Sequence, residues 1–314
     1  IPPLSREIAS NGRRLTLAMN KRRNGDKWAS WLFLTPTMIF LGITALMPLL
    51  YSIYLSFFRM KLNLPNQAVR FVGFDNYLKM LGDQLLHTST GNTLFFAIIS
   101  VLLETVLGLM VAMAICSDKR WARMVTSIFM IPMIMAPVAI GTLWRMMLDA
   151  STGIVNYALN LLGIQSVTWL SNPTTAMWSV IFVNVWQLTP WVTVICAAGL
   201  KALPGDCLQA GLVDGANPRQ IFWRIVLPLL KPLLVIVLMI RFIDAFKVFD
   251  TVYVMTNGGP GSATEKLPNY NYKQGLKYFD AGYAAALAIV FVLVMTLCSA
   301  GFLKWRKREE DNLW

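Results

Sequence analysis

The sequence predicts an all-α membrane protein with six membrane-spanning helices. Hydrophobic residues make up 56% of the 314 residues and charged residues only 14%, whereas soluble domains contain about 45–50% and about 25%. The formal net charge is +12, but the basic residues stand in short clusters between long apolar segments, not in a stripe typical of a nucleic-acid-binding face. The composition therefore excludes an ordinary soluble enzyme, and the pattern indicates no nucleic-acid partner.

Six segments are long and apolar enough to cross a lipid bilayer, which takes about 20 residues of helix. We number them spans 1 to 6; they are residues 31–57, 93–117, 123–148, 174–199, 228–255 and 280–303. Residues 58–92 are expected to form one external loop, and residues 149–173 a second external segment with a short surface helix. The chain is therefore predicted to lie mostly within the bilayer.

Lysine and arginine counts predict the orientation, because short cytoplasmic loops are enriched in both. With both termini inside, the inner segments contain 17 of these residues and the outer segments 7. This predicts a cytoplasmic tail at residues 1–27, a membrane domain at residues 28–303 and a second cytoplasmic tail at residues 304–314.

Several kinds of site are missing from the sequence. The four cysteines stand singly and His87 is the one histidine, so we expect no metal site and no disulfide. The dipeptide Gly-Lys does not occur, which excludes a G-x-x-x-x-G-K-[ST] loop for nucleotide phosphates. If ATP drives this protein, another subunit must bind it.

Residues 200–228 are the longest predicted cytoplasmic loop, and their local chemistry predicts two short helices. Asp206 is expected to cap the first helix, with Gln209 completing a capping box. Gly215 suits the left-handed conformation that ends a helix, and Asn217 followed by proline suits the start of a second one.

The first of these helices presents small residues, since Ala210 and Gly211 have almost no side chain. Such a surface suits insertion into a cleft of another protein. A re-entrant or packing loop is the alternative interpretation, and the pattern alone does not choose between them.

This loop resembles the one shared by inner-membrane subunits of binding-protein-dependent ABC importers, whose pattern is E-A-A-x3-G-x9-I-x-L-P. The matching residues, at unchanged spacing, are Gln209, Ala210, Gly211, Gly215, Ile225, Leu227 and Pro228. Gln209 replaces the usual glutamate and Gly211 the second alanine. The resemblance implies that the loop 204–228, with Asp206 and Asp214 on it, docks an ATP-binding subunit.

Four further segments resemble the carbohydrate branch of this family, which includes the maltose- and trehalose-type permeases. They are WLSNPTTA (169–176), NVWQLTPW (184–191), RFIDAFKVFDTVYVMTNGGPG (241–261) and AGYAAALA (281–288). The resemblance implies a type I importer permease in a bacterial inner membrane, without catalytic residues or cofactors of its own. Its implied partners are a second homologous permease subunit, two ATP-binding subunits that hold ATP and magnesium, an extracytoplasmic solute-binding protein and a sugar.

Span 4 contains a polar stripe that suits a sugar. Asn184, Gln187, Leu188 and Trp191 recur at helical spacing and share one face. Amides match the donors and acceptors of sugar hydroxyls, and an indole face packs against the C–H side of a sugar ring. The resemblance also places Asn184 at a substrate position of the maltose importer. The alternative is that the amides only join helices within the membrane.

Span 5 repeats this spacing with Arg241, Asp244, Ala245 and Val248. The resemblance places Arg241, Ala245 and Val248 at substrate-lining positions. Arg241 and Asp244 stand three apart and can pair along the helix, and Glu104 of span 2 is a further possible partner. Solute contact and structural ion pairing both remain open for this pair.

The leading hypothesis is therefore a permease subunit of an ATP-driven sugar importer. A stand-alone ion-coupled secondary transporter is the alternative, because Glu104 and Asp244 could serve as intramembrane carboxylates. That alternative does not explain the docking loop. A membrane-embedded enzyme is a third possibility, but we find no catalytic set of residues for it.

Overall fold

The computed structural model describes residues 31–63, 69–116 and 120–311. The predicted tail at residues 1–27 lies outside the described residues. The helices are α1 (Trp31–Ser56), α2 (Asp75–Gly82), α3 (Gln84–Ile115), α4 (Arg120–Phe129), α5 (Ile131–Ile134), α6 (Pro137–Met147), α7 (Ile154–Leu161), α8 (Pro173–Lys201), α9 (Gly205–Val213), α10 (Pro218–Lys247), α11 (Asp250–Met255), α12 (Leu267–Tyr272) and α13 (Ala281–Asp311). Strands β1 (Phe58–Arg59) and β2 (Arg70–Phe71) pair antiparallel.

Five helices in the described ranges are long and apolar enough to span a membrane, namely α1, α3, α8, α10 and α13. A sixth span is complete only if Thr126–Ile134 and Pro137–Met147 count together, and these two segments are bent by 100°. The all-α fold is therefore confirmed, and the third of the six predicted spans is a broken one.

The break in span 3 follows from its prolines. Pro132 and Pro137 stand at the starts of α5 and α6, and Met135 and Ala136 between these helices are extended, with ψ of 144° and 134°. The residue before a proline is driven out of the helical region. The prediction of one continuous helix over residues 123–148 was therefore wrong.

Span 2 begins nine residues before its predicted start, at Gln84. Asp83 caps α3, because its carboxylate accepts hydrogen bonds of 3.1 Å from the amides of Leu85 and Leu86. The first turns of α3 contain many polar residues, so the apolar pattern did not predict them as part of the span. The predicted loop 58–92 was therefore wrong in part, since it contains the β-hairpin, α2 and the start of α3.

Span 5 differs from its prediction at both ends. α10 already begins at Pro218 and passes through Pro228 and Pro232, with a π-helical turn at Phe222–Val226 just before the first of these two prolines. It ends at Lys247, and Val248 has a non-helical ψ of 115°. Residues 250–255 form the separate helix α11, so the prediction of one span over residues 228–255 was wrong.

The core forms where α3 and α8 pack along each other, with α10 against α3. Close approach of the first two helices depends on Gly108, because a Cβ atom there would lie 2.8 Å from Cβ of Val192. By contrast, the most apolar window of α1 is 0% buried within this chain. Helix α13 continues to Asp311, so the predicted tail 304–314 is helical over most of its length.

Candidate solute path and coupling loop

One buried carboxylate joins three spans. Oε2 of Glu104, on α3, accepts a 2.8 Å hydrogen bond from Nε of Arg241 on α10. Its Oε1 accepts one of 2.7 Å from Nδ2 of Asn184 on α8 and a longer one of 3.4 Å from Nη2 of Arg241. All three residues are buried. A carboxylate withdrawn from water needs such partners, so this network fixes the three helices relative to one another.

The network reaches an open surface at Asp244. Nη1 of Arg241 lies 3.4 Å from Oδ2 of Asp244, whose side chain is 51% exposed. The guanidinium carbon of Arg241 also lies 5.9 Å from the ring centroid of Trp191, within the range of a cation–π contact. Each of the three guanidinium nitrogens of Arg241 thus contacts a carboxylate oxygen. Asp244 is the exposed residue of this network.

The predicted stripe on α8 divides into two roles. Asn184 turns toward Glu104, which matches the helix-joining interpretation. Gln187 is also buried, yet its side-chain amide forms no hydrogen bond within the described ranges. Leu188 and Trp191 are half-buried. Gln187, Leu188 and Trp191 therefore form no hydrogen bond with Glu104, unlike Asn184.

The two remaining predicted path residues lie at the end of α10. The Ala245 side chain is fully enclosed in the core cluster, so it does not line an open surface in this conformation. Val248 is half-buried against the same cluster. The carbonyl oxygen of Ala245 accepts a 2.9 Å hydrogen bond from Nζ of Lys266, a residue that sequence reasoning placed in an external segment with no further role.

The first helix of the coupling loop begins differently from its prediction. α9 starts at Gly205, and Pro204 occupies the N-cap position without a side-chain hydrogen bond. Asp206 therefore lies in the first turn, where its negative charge interacts favourably with the positive end of the helix dipole. The predicted capping box between Asp206 and Gln209 was wrong, because Pro204 takes the extended N-cap position one step before Gly205.

The turn after α9 has the predicted geometry. Gly215 has φ of +75°, its amide donates to Leu212 O at 3.1 Å, and the amide of Ala216 donates to Gly211 O at 3.0 Å. These two bonds define a Schellman motif, which satisfies carbonyls at a helix end. Asn217 and Gln220 then form a reciprocal capping box with two bonds of 2.9 Å at the start of α10. Four hydrogen bonds thus hold the turn between α9 and α10.

Gly211 faces inward, against expectation. A Cβ atom at this position would lie 2.7 Å from Cδ1 of Ile225, so the missing methyl group allows α9 to pack on α10. The exposed surface of the loop was expected to consist of small residues, but it also contains large apolar side chains. Leu212 is 62%, Val213 87% and Trp223 62% exposed. Of the remaining predicted docking residues, Leu227 is half-buried, and the exposed ones are Asp206, Gln209, Ala210, Asp214 and Pro228.

Two cavities in the described part of the chain are apolar and distinct from the polar network. One, of about 750 Å³, is lined by residues such as Leu94, Phe246 and Phe291. The other, of about 910 Å³, is lined by residues such as Trp144, Trp178 and Phe182. Neither is lined by Gln187 or Asp244, so these two cavities are separate from the polar network. Within the described ranges, no cluster of three metal-ligating side chains is present.

Comparison with known proteins identifies the family. Residues 104–308 match the family described as the inner membrane component of binding-protein-dependent transport systems. The trehalose/maltose transport system permease protein MalF of Thermococcus litoralis is 35% identical over 271 residues, which cover 85% of this chain and 90% of that protein. The sulfoquinovosyl glycerol transport system permease protein SmoG of Agrobacterium fabrum is 31% identical, over 89% of this chain and 91% of that protein.

The fold is also that of solved importers. A chain of a bacterial alginate ABC transporter, crystallised with a periplasmic protein that holds an alginate pentasaccharide, superposes with a TM-score of 0.79 at 22% identity, covering 91% of this chain and 96% of that chain. A methionine ABC transporter chain, MetNI, superposes with a TM-score of 0.54 over 74% of this chain and 98% of that chain, at 17% identity. The match over residues 104–308 and the 35% identical relative show that the chain belongs to the inner-membrane components of binding-protein-dependent transport systems.

Proposed function

We propose that this chain is one permease subunit of an ATP-driven importer of sugars or glycosides. The observation that carries the proposal is the course of α10, which is continuous from Pro218 to Lys247. Its first residues follow the hydrogen-bonded turn of the coupling loop, and Arg241 and Asp244 stand near its other end. These ends are about 35 Å apart at 1.5 Å per residue. A displacement of the loop by an ATPase therefore moves one wall of the solute path.

The chemistry of that wall supports a neutral, hydroxyl-rich solute. The unpartnered amide of Gln187 can donate to and accept from hydroxyl groups, and Trp191 offers a ring face to the C–H side of a sugar. Asp244 is an exposed carboxylate beside the fully engaged guanidinium of Arg241. A carboxylate accepts hydrogen bonds from hydroxyls but repels a phosphate or an acidic sugar. The relative named for trehalose and maltose transport supports a neutral sugar. The relative named for sulfoquinovosyl glycerol supports only the carbohydrate class, because that compound carries a sulfonate.

The complete importer in this proposal contains a second homologous permease subunit, two ATP-binding subunits and an extracytoplasmic solute-binding protein in a bacterial inner membrane. Both termini of this chain lie in the cytoplasm, on the same side as the coupling loop. ATP and magnesium are bound by the ATPases, so the chain itself has no catalytic residue and no cofactor. The unburied apolar surface of α1 is in contact with the lipid bilayer or with another subunit.

The coupling role can be tested with Val213→Asp. Val213 is 87% exposed on the loop, so a charge there leaves the fold intact but disfavours an apolar contact with the ATPase. In proteoliposomes containing the whole importer, we expect this variant to lose most of the ATP hydrolysis that the sugar-loaded binding protein stimulates. Leu162→Asp is the matched control, because Leu162 is 76% exposed on the segment after α7, outside the loop. Normal stimulated hydrolysis by Val213→Asp would contradict the coupling role.

The same proteoliposomes distinguish this function from a stand-alone ion-coupled carrier. The importer requires ATP, the ATPases and the binding protein, whereas a carrier moves its solute along an ion gradient with this chain alone. The family match favours the importer. Screening the binding protein against neutral disaccharides, glycosides and phosphorylated sugars then identifies the substrate, and we expect a neutral ligand.

A further inference from the structure

Lys266 is a fully buried lysine without an ion-pair partner. It has 0% relative exposure, and across residues 31–63, 69–116 and 120–311 no carboxylate forms an ion pair with it. The neighbouring Glu265 pairs with Lys273 instead. A lysine is rarely buried unless it is paired, so the contacts of Lys266 require an explanation.

Its amine has two contacts, and they belong to different spans. Nζ donates a 2.9 Å hydrogen bond to the carbonyl oxygen of Ala245 on α10. It also lies 3.5 Å from the ring centroid of Phe96 on α3, the geometry of a cation–π contact. Complete burial lowers the pKa of Lys266, but a lysine amine donates to a carbonyl in either protonation state. The hydrogen bond to α10 therefore persists whether or not the amine is charged.

The carbonyl of Ala245 needs this donor. The last four carbonyls of a helix have no partner within it, and α10 ends at Lys247 because Val248 leaves the helical conformation. Ala245 is itself fully buried, so water cannot replace the missing amide. A buried carbonyl without a donor is costly. Lys266 therefore acts as a side-chain cap for the end of span 5.

The segment that carries Lys266 is held firmly to α3. Nδ2 of Asn92 donates to the carbonyls of Ser262 and Glu265 at 2.8 and 3.0 Å. The amide of Leu267 donates to Oγ1 of Thr93 at 2.9 Å. Residues 262–267 thus form a bridge from span 2, and Lys266 extends it to span 5. The residue joined to the bridge, Ala245, directly follows Asp244, the exposed carboxylate of the polar network.

We propose that Lys266 is a positioning residue of the solute path, which holds the end of span 5 and thereby sets the place of Asp244. It acts through the backbone of Ala245 and does not touch the solute. This inference rests on the proposed transport function for its consequence, but its structural part can be measured without transport.

The first experiment measures hydrogen–deuterium exchange in the purified importer complex with Lys266→Met, which keeps an apolar chain of similar length and removes the donor. We expect amides 245–249 to exchange at least about fivefold faster than in the wild type, because the end of α10 frays when its carbonyl loses its partner. Lys61→Met, which removes an exposed lysine, is the matched control and should leave this segment unchanged. Unchanged exchange in Lys266→Met would overturn the proposal.

The second experiment uses Asp244→Ala to separate positioning from general stability. If Lys266 acts through Asp244, the loss of sugar uptake caused by Lys266→Met should be much smaller in the Asp244→Ala background than in the wild type. If Lys266→Met lowers sugar uptake by the same factor in the Asp244→Ala background as in the wild type, the positioning role is overturned. If Lys266→Met does not assemble, Asn92→Ala replaces it in both experiments, because it releases the segment that carries Lys266 from α3 and so loosens the same hydrogen bond to Ala245. If the wild-type importer shows no ATP-driven sugar uptake, only the proposed function is contradicted. The hydrogen–deuterium exchange measurement alone then tests whether Lys266 holds the end of α10.

Discussion

Nε of Arg241 lies 2.8 Å from Oε2 of Glu104, and the two side chains are 4% and 0% exposed. The residues are 137 positions apart in sequence, so this contact connects spans 2 and 5 directly. Asn184 adds span 4 through the other carboxylate oxygen. One buried carboxylate therefore links three helices, and the consequences of removing it can be measured in several ways.

Removing one partner of this pair should destabilise the protein strongly. We expect Glu104→Leu to lower the free energy of unfolding by roughly 3–5 kcal/mol, because Arg241 loses its buried partner and keeps only the 3.4 Å contact with the half-exposed Asp244. The double variant Glu104→Leu/Arg241→Met should lose much less, since no buried charge remains and Asp244 is half exposed to solvent. Thermal unfolding in detergent measures both. Asp244→Asn is the control and should cost no more than about 1 kcal/mol, because its side chain is half exposed.

The outcome that contradicts this prediction is a Glu104→Leu variant as stable as the wild type. In that case, the carboxylate contributes nothing to the packing of spans 2, 4 and 5, and the contact with Arg241 is incidental.

The turn at Gly215 should be sensitive to residue type. With φ of +75°, a β-branched residue is strained by roughly 1–2 kcal/mol, whereas asparagine tolerates this conformation. We therefore expect Gly215→Val to reduce the ATP hydrolysis stimulated by the sugar-loaded binding protein, and Gly215→Asn to retain most of it. Equal behaviour of the two variants would show that the left-handed turn is irrelevant to coupling.

The accuracy of the sequence predictions depends on the range of the interactions. The ends of α9 and α10 were predictable in part, because Gly215 and Asn217 act on their immediate neighbours. The continuation of α10 through Pro228 was not, since a proline usually ends a helix. The direction of Asn184 was not predictable either, because its partner Glu104 lies 80 positions away.

Lys266 illustrates the limit of pattern reading most clearly. It stands between Glu265 and Leu267 in a segment of mixed polarity, where an exposed lysine is the ordinary expectation. Only the fold brings Phe96 and the end of α10 to it. By contrast, the pairing of Arg241 with Asp244 was one of the two roles that their spacing along one helix left open.

Low pH should destabilise the protein by protonating Asp83, which joins the start of α3 to Tyr270 and Tyr283. Burial raises its pKa, but hydrogen bonds from Tyr270, Tyr283, Leu86 and Leu85 outweigh burial, and the pKa is lowered overall. A carboxyl with a lower pKa in the folded state stabilises the fold above its unfolded pKa, and this stability is lost as the pH falls through the folded value. We expect the thermal midpoint to be highest near neutral pH and to decline below about pH 4.

Asp83→Asn tests the assignment. This variant should have a lower midpoint at neutral pH, because it loses the charged acceptor shared by the hydroxyls of Tyr270 and Tyr283. It should also have a shallower decline below about pH 4. Asp75→Asn, an exposed change on α2, should retain the wild-type decline. If Asp83→Asn follows the wild-type curve, another carboxyl group is responsible.

The last prediction separates solute contact from helix packing on α8. Gln187 forms no hydrogen bond within the described ranges, so Gln187→Ala removes only packing contacts and should lower the thermal midpoint less than Asn184→Ala does. If the amide contacts sugar, its removal costs about 0.5–1.5 kcal/mol, which lowers uptake by at most roughly tenfold. Trp191→Ala should lower uptake more than Gln187→Ala does, because it removes the whole ring face that packs against the sugar. Asn184→Ala should lose stability together with uptake, because Glu104 then loses its 2.7 Å donor.

These variants should still assemble with the ATPases, and the binding protein should still stimulate ATP hydrolysis, since the coupling loop is intact. Phe182→Leu, an exposed change on the opposite face of α8, serves as the control and should transport normally. Uptake by reconstituted importers, normalised to the amount of assembled complex, measures each effect. If Gln187→Ala and Trp191→Ala both transport like the wild type, this face of α8 does not contact the solute, and the path then runs along α10 or the second permease subunit.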